Sequence, residues 1–306
     1  MSDTLCQAEP SVFSHIQTAS ETQSPSRPLR ILLPSYRSAP FTGGQGIYIK
    51  HLSKALVDRG HAVDVISGPP YPHLDPRVGL IKLPSLDLHA QPNGLLALRT
   101  QHLTSFTDMY EWFSHNTGKF AEPYTFGRRL AKFLKRHKHR YDIVHDNQSL
   151  AWGLLQIARM GLPVIATIHH PITRDLKLAL DAEDDTFMRA LVKRWHSFLD
   201  MQKKVSRLLP AIITVSQNTK RDLVSDFGLT EDQMHVIYNG VDTELFKPLP
   251  HIARDQNTLI TTASADVPLK GLRYLLIAFA QLRAHHKKLR LVVIGKPRTG
   301  STLSLI

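Results

Sequence analysis

Four short stretches hold residue types that suit binding of an anionic or hydroxylated ligand. Thr42-Gly43-Gly44-Gln45-Gly46 is glycine-rich. Glycine lets backbone N–H groups approach a phosphate, and a helix starting there adds a favourable partial positive charge. The spacing is neither a G-x-G-x-x-G fingerprint nor a P-loop with its Lys-Ser/Thr, so a tight turn before a helix explains it equally well. Thr167-Ile168-His169-His170-Pro171 supplies imidazoles. Neutral near pH 7, an imidazole can meet a substrate hydroxyl or developing charge; the alternative is a histidine that only ties its loop down. A metal pair is disfavoured, because adjacent residues on an extended chain point oppositely and no third ligand is evident. His145, Asp146 and Asn147 either line the same crevice or serve as ordinary caps. Lys270-Gly271 offers a point charge for phosphate oxygens, or simply a solvated lysine.

These stretches fall where elements would hold them together. Short apolar runs at 29–34, 62–67, 80–83, 141–145, 163–168, 211–215 and 234–238 predict strands. Helices are expected at 46–59, with Ile47, Leu52, Ala55 and Leu56 on one face and Gly60 as the stop, and at 94–113, 126–139, 149–160 and 217–227. Residues 176–207 read as helix with a break near Asp184-Asp185. Strands apolar throughout and separated by helices imply a parallel sheet covered on both faces. Such sheets bind ligands beyond the carboxyl ends of their strands, and that is where the glycine and histidine loops lie. A second start follows Asn239-Gly240-Val241-Asp242: a Pro-containing stretch at 247–256, then strand 259–263, helix 271–285 and strand 289–294. Two strands and a helix are too few to hold a core alone, so this second unit reads as unfinished.

Composition removes several function classes. The chain has 306 residues, 42% of them hydrophobic, with 38 Lys+Arg against 26 Asp+Glu and a net charge of +12. That is a folded rather than a disordered composition, and the length suits about two domains. A lone cysteine, Cys6, excludes an internal disulfide and a zinc site of paired thiolates. Residues 1–27, rich in Ser, Thr, Gln and Pro, read as a flexible tail rather than a secretory signal. The longest apolar stretch, 151–168, is broken by Gln156, Arg159, Gly161 and Pro163, so no membrane span is expected. Basic segments at 126–140 and 191–209 suit an anionic membrane surface, though a solvated helix with one core face is the preferred reading. No nucleic-acid-reading module is present to use the charge.

The ordered set resembles the family 4 glycosyltransferases, retaining enzymes of the GT-B fold. It comprises Gly-Gly after the first strand, Thr-x-His after a central one, Val215-Ser216 with Thr219, Asn-Gly-Val-Asp followed by Phe246 and Pro248, and Lys-Gly. The Val-Ser-x-x-Thr and Asn-Gly-Val-Asp elements are its most specific parts. The resemblance spans about residues 29–294. It implies an α/β GT-B architecture: a tail at 1–27, an acceptor-side Rossmann-like domain at 28–245, a linker at 246–257, and at 258–306 the truncated start of a nucleotide-sugar-binding domain.

By the same resemblance, the reaction moves a sugar from a nucleotide-sugar to an acceptor with retention. It uses no metal and no cofactor, the nucleotide-sugar being a co-substrate. Gly43 and Gly44 would lie against the donor diphosphate, His169 would face the transferred sugar, and Lys270 would neutralise the leaving diphosphate. Asn147 and His170 are candidates for the cleft, and Asn239, Gly240 and Asp242 for the interdomain hinge, with Gly240 adopting angles that other residues resist. A saccharide or lipid-linked acceptor, a cytoplasmic location and a peripheral contact with the inner membrane face are expected, with no nucleic-acid partner. Two departures matter. Ser264-Ala265-Asp266 carries no arginine ahead of the Lys-Gly, and the family's paired-glutamate motif lies past the end of this chain. A truncated, inactive product is therefore expected; a non-catalytic sugar- or nucleotide-binding remnant and a GT-B-fold sugar-nucleotide epimerase are the competing readings.

Overall fold

The computed structural model describes residues 27–41, 43–262 and 271–295. The first unit alternates strands and helices: β1 (Arg30–Ser35), α1 (Gly44–Asp58), β2 (Ala62–Ser67), β3 (Gly79–Lys82), α2 (Phe106–Asn116), α3 (Glu122–His137), β4 (Ile143–Asn147), α4 (Trp152–Arg159) and β5 (Val164–Ile168). It continues through α5 (Thr173–Asp181), α6 (Thr186–Trp195), α7 (Phe198–Leu208), β6 (Ile212–Thr214), α8 (Gln217–Phe227) and β7 (Met234–Val236). A second sheet holds β8 (Thr258–Thr262) and β9 (Arg290–Ile294) about α9 (Leu272–His285). The strand order of the main sheet is β3-β2-β1-β4-β5-β6-β7, all parallel. The chain leaves β1 toward β2 on one side and returns to β4 on the other, so the crevice over β1 and β4 is the point where connections diverge.

Alternation along β1 divides the core. Ile31 and Leu33 face α1, where Ile49 is fully buried, while Leu32 packs with Leu130 and Leu134 of α3 on the opposite face. The α1 face differs from expectation. Gly46, Ile49 and Ser53 are buried, whereas Ile47 and Ala55 point outward. The reason is Gly46: a Cβ there would stand 2.1 Å from the Ala39 carbonyl oxygen, so its bare backbone sits against the preceding loop and sets the rotation of the helix. Helices α3 and α4 also touch backbone to backbone, since a Cβ on Gly153 would lie 2.0 Å from the Gly127 carbonyl oxygen.

Three expected helices are redrawn. Residues 94–113 are not one helix: 3-10 turns at Gly94–Ala97 and Thr100–His102 precede α2, which Ser105 starts by accepting from the Asp108 N–H. Residues 126–139 lengthen at the start to Glu122. The segment 176–207 breaks twice. Asp185 caps α6 through the Met188 N–H at 2.7 Å, and α6 yields to α7 at His196-Ser197 without glycine or proline. Strand β4 starts at Ile143 rather than residue 141. Arg30 binds the Asp142 carboxylate through its main-chain N–H at 2.8 Å and its guanidinium at 2.9 Å, tying off the residues ahead of the strand. The expected tail up to residue 26, and residues 263–270 and 296–306 of the second unit, lie outside the described residues.

Candidate functional site

Buried polar residues gather at the carboxyl ends of the strands. Ser35, Ser67, Asp146, Asn147 and Thr167 are at most 1% exposed, and Ser38 is fully buried beside them. Buried polar groups must find partners, and four of these residues bond to one another. Ser67 donates to Ser38 at 3.1 Å, Ser38 to Ser35 at 2.8 Å, and Asn147 Nδ2 to Ser35 Oγ at 3.2 Å.

Asn147 determines the chemical state of His169. Its Nδ2 also donates to the Gln45 carbonyl oxygen at 3.3 Å, an atom that can only accept, so the amide orientation is settled by its partners. Oδ1 is therefore the atom 2.8 Å from His169 Nε2, and that nitrogen must carry the hydrogen. Burial pushes the His169 pKa down to about 4, with His170 adding to the effect, so the ring is neutral at pH 7. Neutral with Nε2–H, it keeps a lone pair on Nδ1. Nδ1 has no partner among the described residues and is not sealed in the core. Tyr48 of α1 holds the ring edge-on, with centroids 4.6 Å apart at 83°. A hydroxyl presented to Nδ1 would find an acceptor already aimed.

The loop after β4 holds His169 from behind. Gln148, 2% exposed, accepts from the His169 N–H and donates to the His170 carbonyl, both at 2.7 Å. It does so at φ 56°, and Leu150 sits at φ 47°; non-glycine residues seldom adopt this left-handed region, and where they do the surroundings must enforce it. Asp146 does the enforcing. Its carboxylate accepts from the Ser149 N–H at 2.8 Å, the Leu150 N–H at 3.0 Å and the Ser149 hydroxyl. Burial raises the Asp146 pKa to about 6, against the downward pull of those donors. Gln202 of α7 adds donors to the Gln148 and Ser149 carbonyls at 3.4 and 3.3 Å. His145, pushed down to about 4 by burial and then by His169, pairs its Nε2 with Thr167 Oγ1 at 2.7 Å.

The start of α1 borders the same crevice. Gly43 (φ 80°) precedes the helix, and no side chain caps its first turn. A Cβ on Gly43 or Gly44 would meet nothing within 4 Å, so this surface is open, unlike Gly46 beneath it. The Asn147–Gln45 bond and the Tyr48–His169 contact bring that open turn next to the imidazole.

The expected residues thus fall into two groups. Gly43, Gly44, Asn147 and His169 converge. His170 turns its side chain outward, 59% exposed and 3.6 Å from Asp175. Asn239, Gly240 and Asp242 lie in an exposed turn in which Asp242 accepts from the Glu244 and Leu245 N–H groups at 3.0 and 3.1 Å. Gly240 is not among the glycines with positive φ, which corrects the expected reason for its presence. Lys270 and the Ser264-Ala265-Asp266 stretch lie outside the described residues, as does Thr42. Sequence reasoning missed Gln148 and the serine chain. It also missed Arg37, which bridges to Glu122 at 2.8 Å; burial lifts Glu122 to about 7. Among the described residues no group of three or more His, Cys, Asp or Glu is arranged to hold a metal.

Comparison with known proteins bears on this geometry. The profile of Glycosyltransferase Family 4 matches residues 42–245. The MMP alpha-(1->4)-mannosyltransferase of Mycolicibacterium hassiacum is 46% identical over 280 residues, covering 91% of this chain and 67% of the relative. A D-inositol 3-phosphate glycosyltransferase of Acidothermus cellulolyticus is 24% identical over 310 residues, covering 92% and 62%. The chain therefore spans about two thirds of the length of these relatives. The crystal structure of WaaG, a glycosyltransferase involved in lipopolysaccharide biosynthesis, superposes with a TM-score of 0.58 at 16% identity, covering 90% of this chain and 66% of that one.

Proposed function

The chain belongs to glycosyltransferase family 4, and from that premise we propose that it serves retaining transfer of a hexosyl group, mannosyl in the first instance, from a nucleotide-sugar to a saccharide acceptor. The sugar is taken from the 46% identical mannosyltransferase. The observation that carries the reading is the pre-set tautomer of His169, whose free Nδ1 beside the open first turn of α1 suits a sugar hydroxyl next to a diphosphate.

In the proposed reaction the bond from the anomeric carbon to the diphosphate oxygen breaks. The acceptor hydroxyl oxygen bonds to that carbon on the same face, and its proton passes to the departing diphosphate. Negative charge grows on the leaving oxygen and positive character on the ring, and preorganised N–H groups stabilise the former. Gly43 and Gly44 supply open backbone at the helix start, and Lys270 the neutralising cation, so the step needs no metal. His169, kept neutral by burial, accepts from a hydroxyl of the transferred sugar without adding a charge that would oppose the developing cation. Asn147 and Gln148 position it. His170 and the 239–242 turn are assigned to the acceptor side and the interdomain hinge.

Calorimetric titration of the chain with GDP-mannose and UDP-glucose, with His169 followed by NMR, tests the reading. Binding of at least one, with a shift at Nδ1, is expected. No affinity for either sugar nucleotide overturns it. No helix among the described residues is long and apolar enough to cross a membrane, so the proposed acceptor is met without a membrane-crossing helix in those residues.

A further inference from the structure

A second cavity, apart from the crevice, carries a charge imbalance that the transfer reaction does not use. It measures about 630 Å³ and lies between α3 and the segments running 83–86 and 101–108. None of its lining residues belongs to the crevice described above. Its volume falls within the range of sites for sugar-sized ligands.

Two rows of α3 face this space at helical spacing, Arg128, Lys132 and Arg136 in one and Arg129, Phe133 and His137 in the other. The rows differ in how their charge is met. Arg129 is neutralised twice, by Asp108 and by Glu111, each at 2.5 Å, and so fastens α2 to α3. That consumes Asp108, the one carboxylate lining the cavity among the described residues. Arg128 is oriented without meeting a carboxylate among the described residues: its Nε donates to Thr107 Oγ1 at 3.2 Å and its guanidinium stands 5.0 Å from the Phe106 ring centroid. Lys132 and Arg136 form no salt bridge among the described residues. Like charges at i,i+4 oppose helix formation. The helix dipole favours Arg136 and His137 in the last turn but gives nothing to Arg128 and Lys132 in the middle. A wall of Leu86 and Phe133 completes the cavity with apolar surface.

We propose that this cavity binds a phosphomonoester attached to a sugar-sized body. A monoester near pH 7 carries about −1.5 to −2 charge and three acceptor oxygens, which matches three cations without carboxylate partners better than a single carboxylate does. The monoester can belong to a soluble phosphosugar or to a lipid headgroup, and the two sources are separable.

Intact protein is titrated in low salt with mannose 6-phosphate, and with inorganic phosphate as the minimal probe. In parallel it is sedimented with phosphatidylcholine vesicles containing phosphatidic acid, a monoester, or phosphatidylserine at equal surface charge. Saturable binding of the soluble probes assigns a soluble ligand; binding confined to phosphatidic acid vesicles assigns a headgroup. In either case Lys132→Gln and Arg136→Gln each weaken binding roughly tenfold or more, Lys132→Arg restores it, and Lys177→Gln on α5 leaves it unchanged. Lys132 and Arg136 are exposed, so thermal melts of these variants should match that of the parent. Absence of binding in both arms, equal binding to phosphatidylserine, or equal weakening by Lys177→Gln overturns the proposal, the last two by showing that net charge alone is at work.

Discussion

Replacing Gln148 probes whether the loop after β4 holds the imidazole in place. Its side chain makes two 2.7 Å bonds to main-chain atoms of His169 and His170. Gln148→Ala leaves an N–H and a carbonyl without partners, at about 1–3 kcal/mol each, so a loss of about 2–6 kcal/mol is expected. Gln148→Gly removes the same bonds but also relieves the left-handed backbone at φ 56°. That relief is worth about 1–2 kcal/mol, less about 0.5–1 for the greater freedom of unfolded glycine. The glycine variant should therefore be more stable than the alanine variant, by up to about 1.5 kcal/mol. Urea unfolding followed by tryptophan fluorescence reads both quantities, and amide exchange at His169 should quicken in both variants. Midpoints that coincide with the parent would refute the clamp. A glycine variant less stable than the alanine one would refute the left-handed conformation in solution.

Other expectations follow from the same geometry. His169→Ala should abolish the sugar-dependent part of nucleotide-sugar affinity and, by leaving the buried Asn147 Oδ1 without its donor, cost about 1–3 kcal/mol of stability; unchanged calorimetric affinity would remove its role. His145, about 4 when folded against about 6.5 unfolded, is neutral in the fold and takes up a proton on unfolding. Its contribution is complete above pH 6.5 and falls by about 3 kcal/mol as pH drops to 4. His145→Gln should flatten the stability-versus-pH curve over that window, measured against the parent so that the opposing titration of Asp146 cancels. Gly46→Ala should cost about 2–3 kcal/mol through collision with the Ala39 carbonyl. Gly43→Ala meets no atom and should instead cost about 1–3 kcal/mol of backbone strain, with weaker sugar-nucleotide binding, readable by the same titration.

Much of the frame was legible because its punctuation is chemical. Strand β2 at 62–67 and helix α8 at 217–227 lie where the sequence places them, the helix opened by the Ser216 cap and closed by Gly228 in the left-handed region. The region 94–113 misled because its apolar spacing runs on past Ser105, whose hydroxyl starts α2 only where the chain has already turned. The break at His196-Ser197 has no glycine or proline to announce it. In the site, His169 and Asn147 were readable as strand-end residues. Gln148 and Leu150 were not, since nothing in a glutamine or leucine marks a backbone held left-handed by a neighbouring carboxylate. The serine chain was equally silent, because its members, Ser35, Ser38 and Ser67, come together only when β1 and β2 pair.

The bare contact of Gly127 with Gly153 has a mechanical corollary. The two main chains meet there with only the Ala151 methyl beside them, so no layer of larger side chains separates α3 from α4. Helix α4 begins one residue after Ala151, at the end of the turn that carries Gln148, so the depth at which α4 seats on α3 also sets where that turn ends. Adding even one methyl at Gly153 would drive the two helices apart at that point.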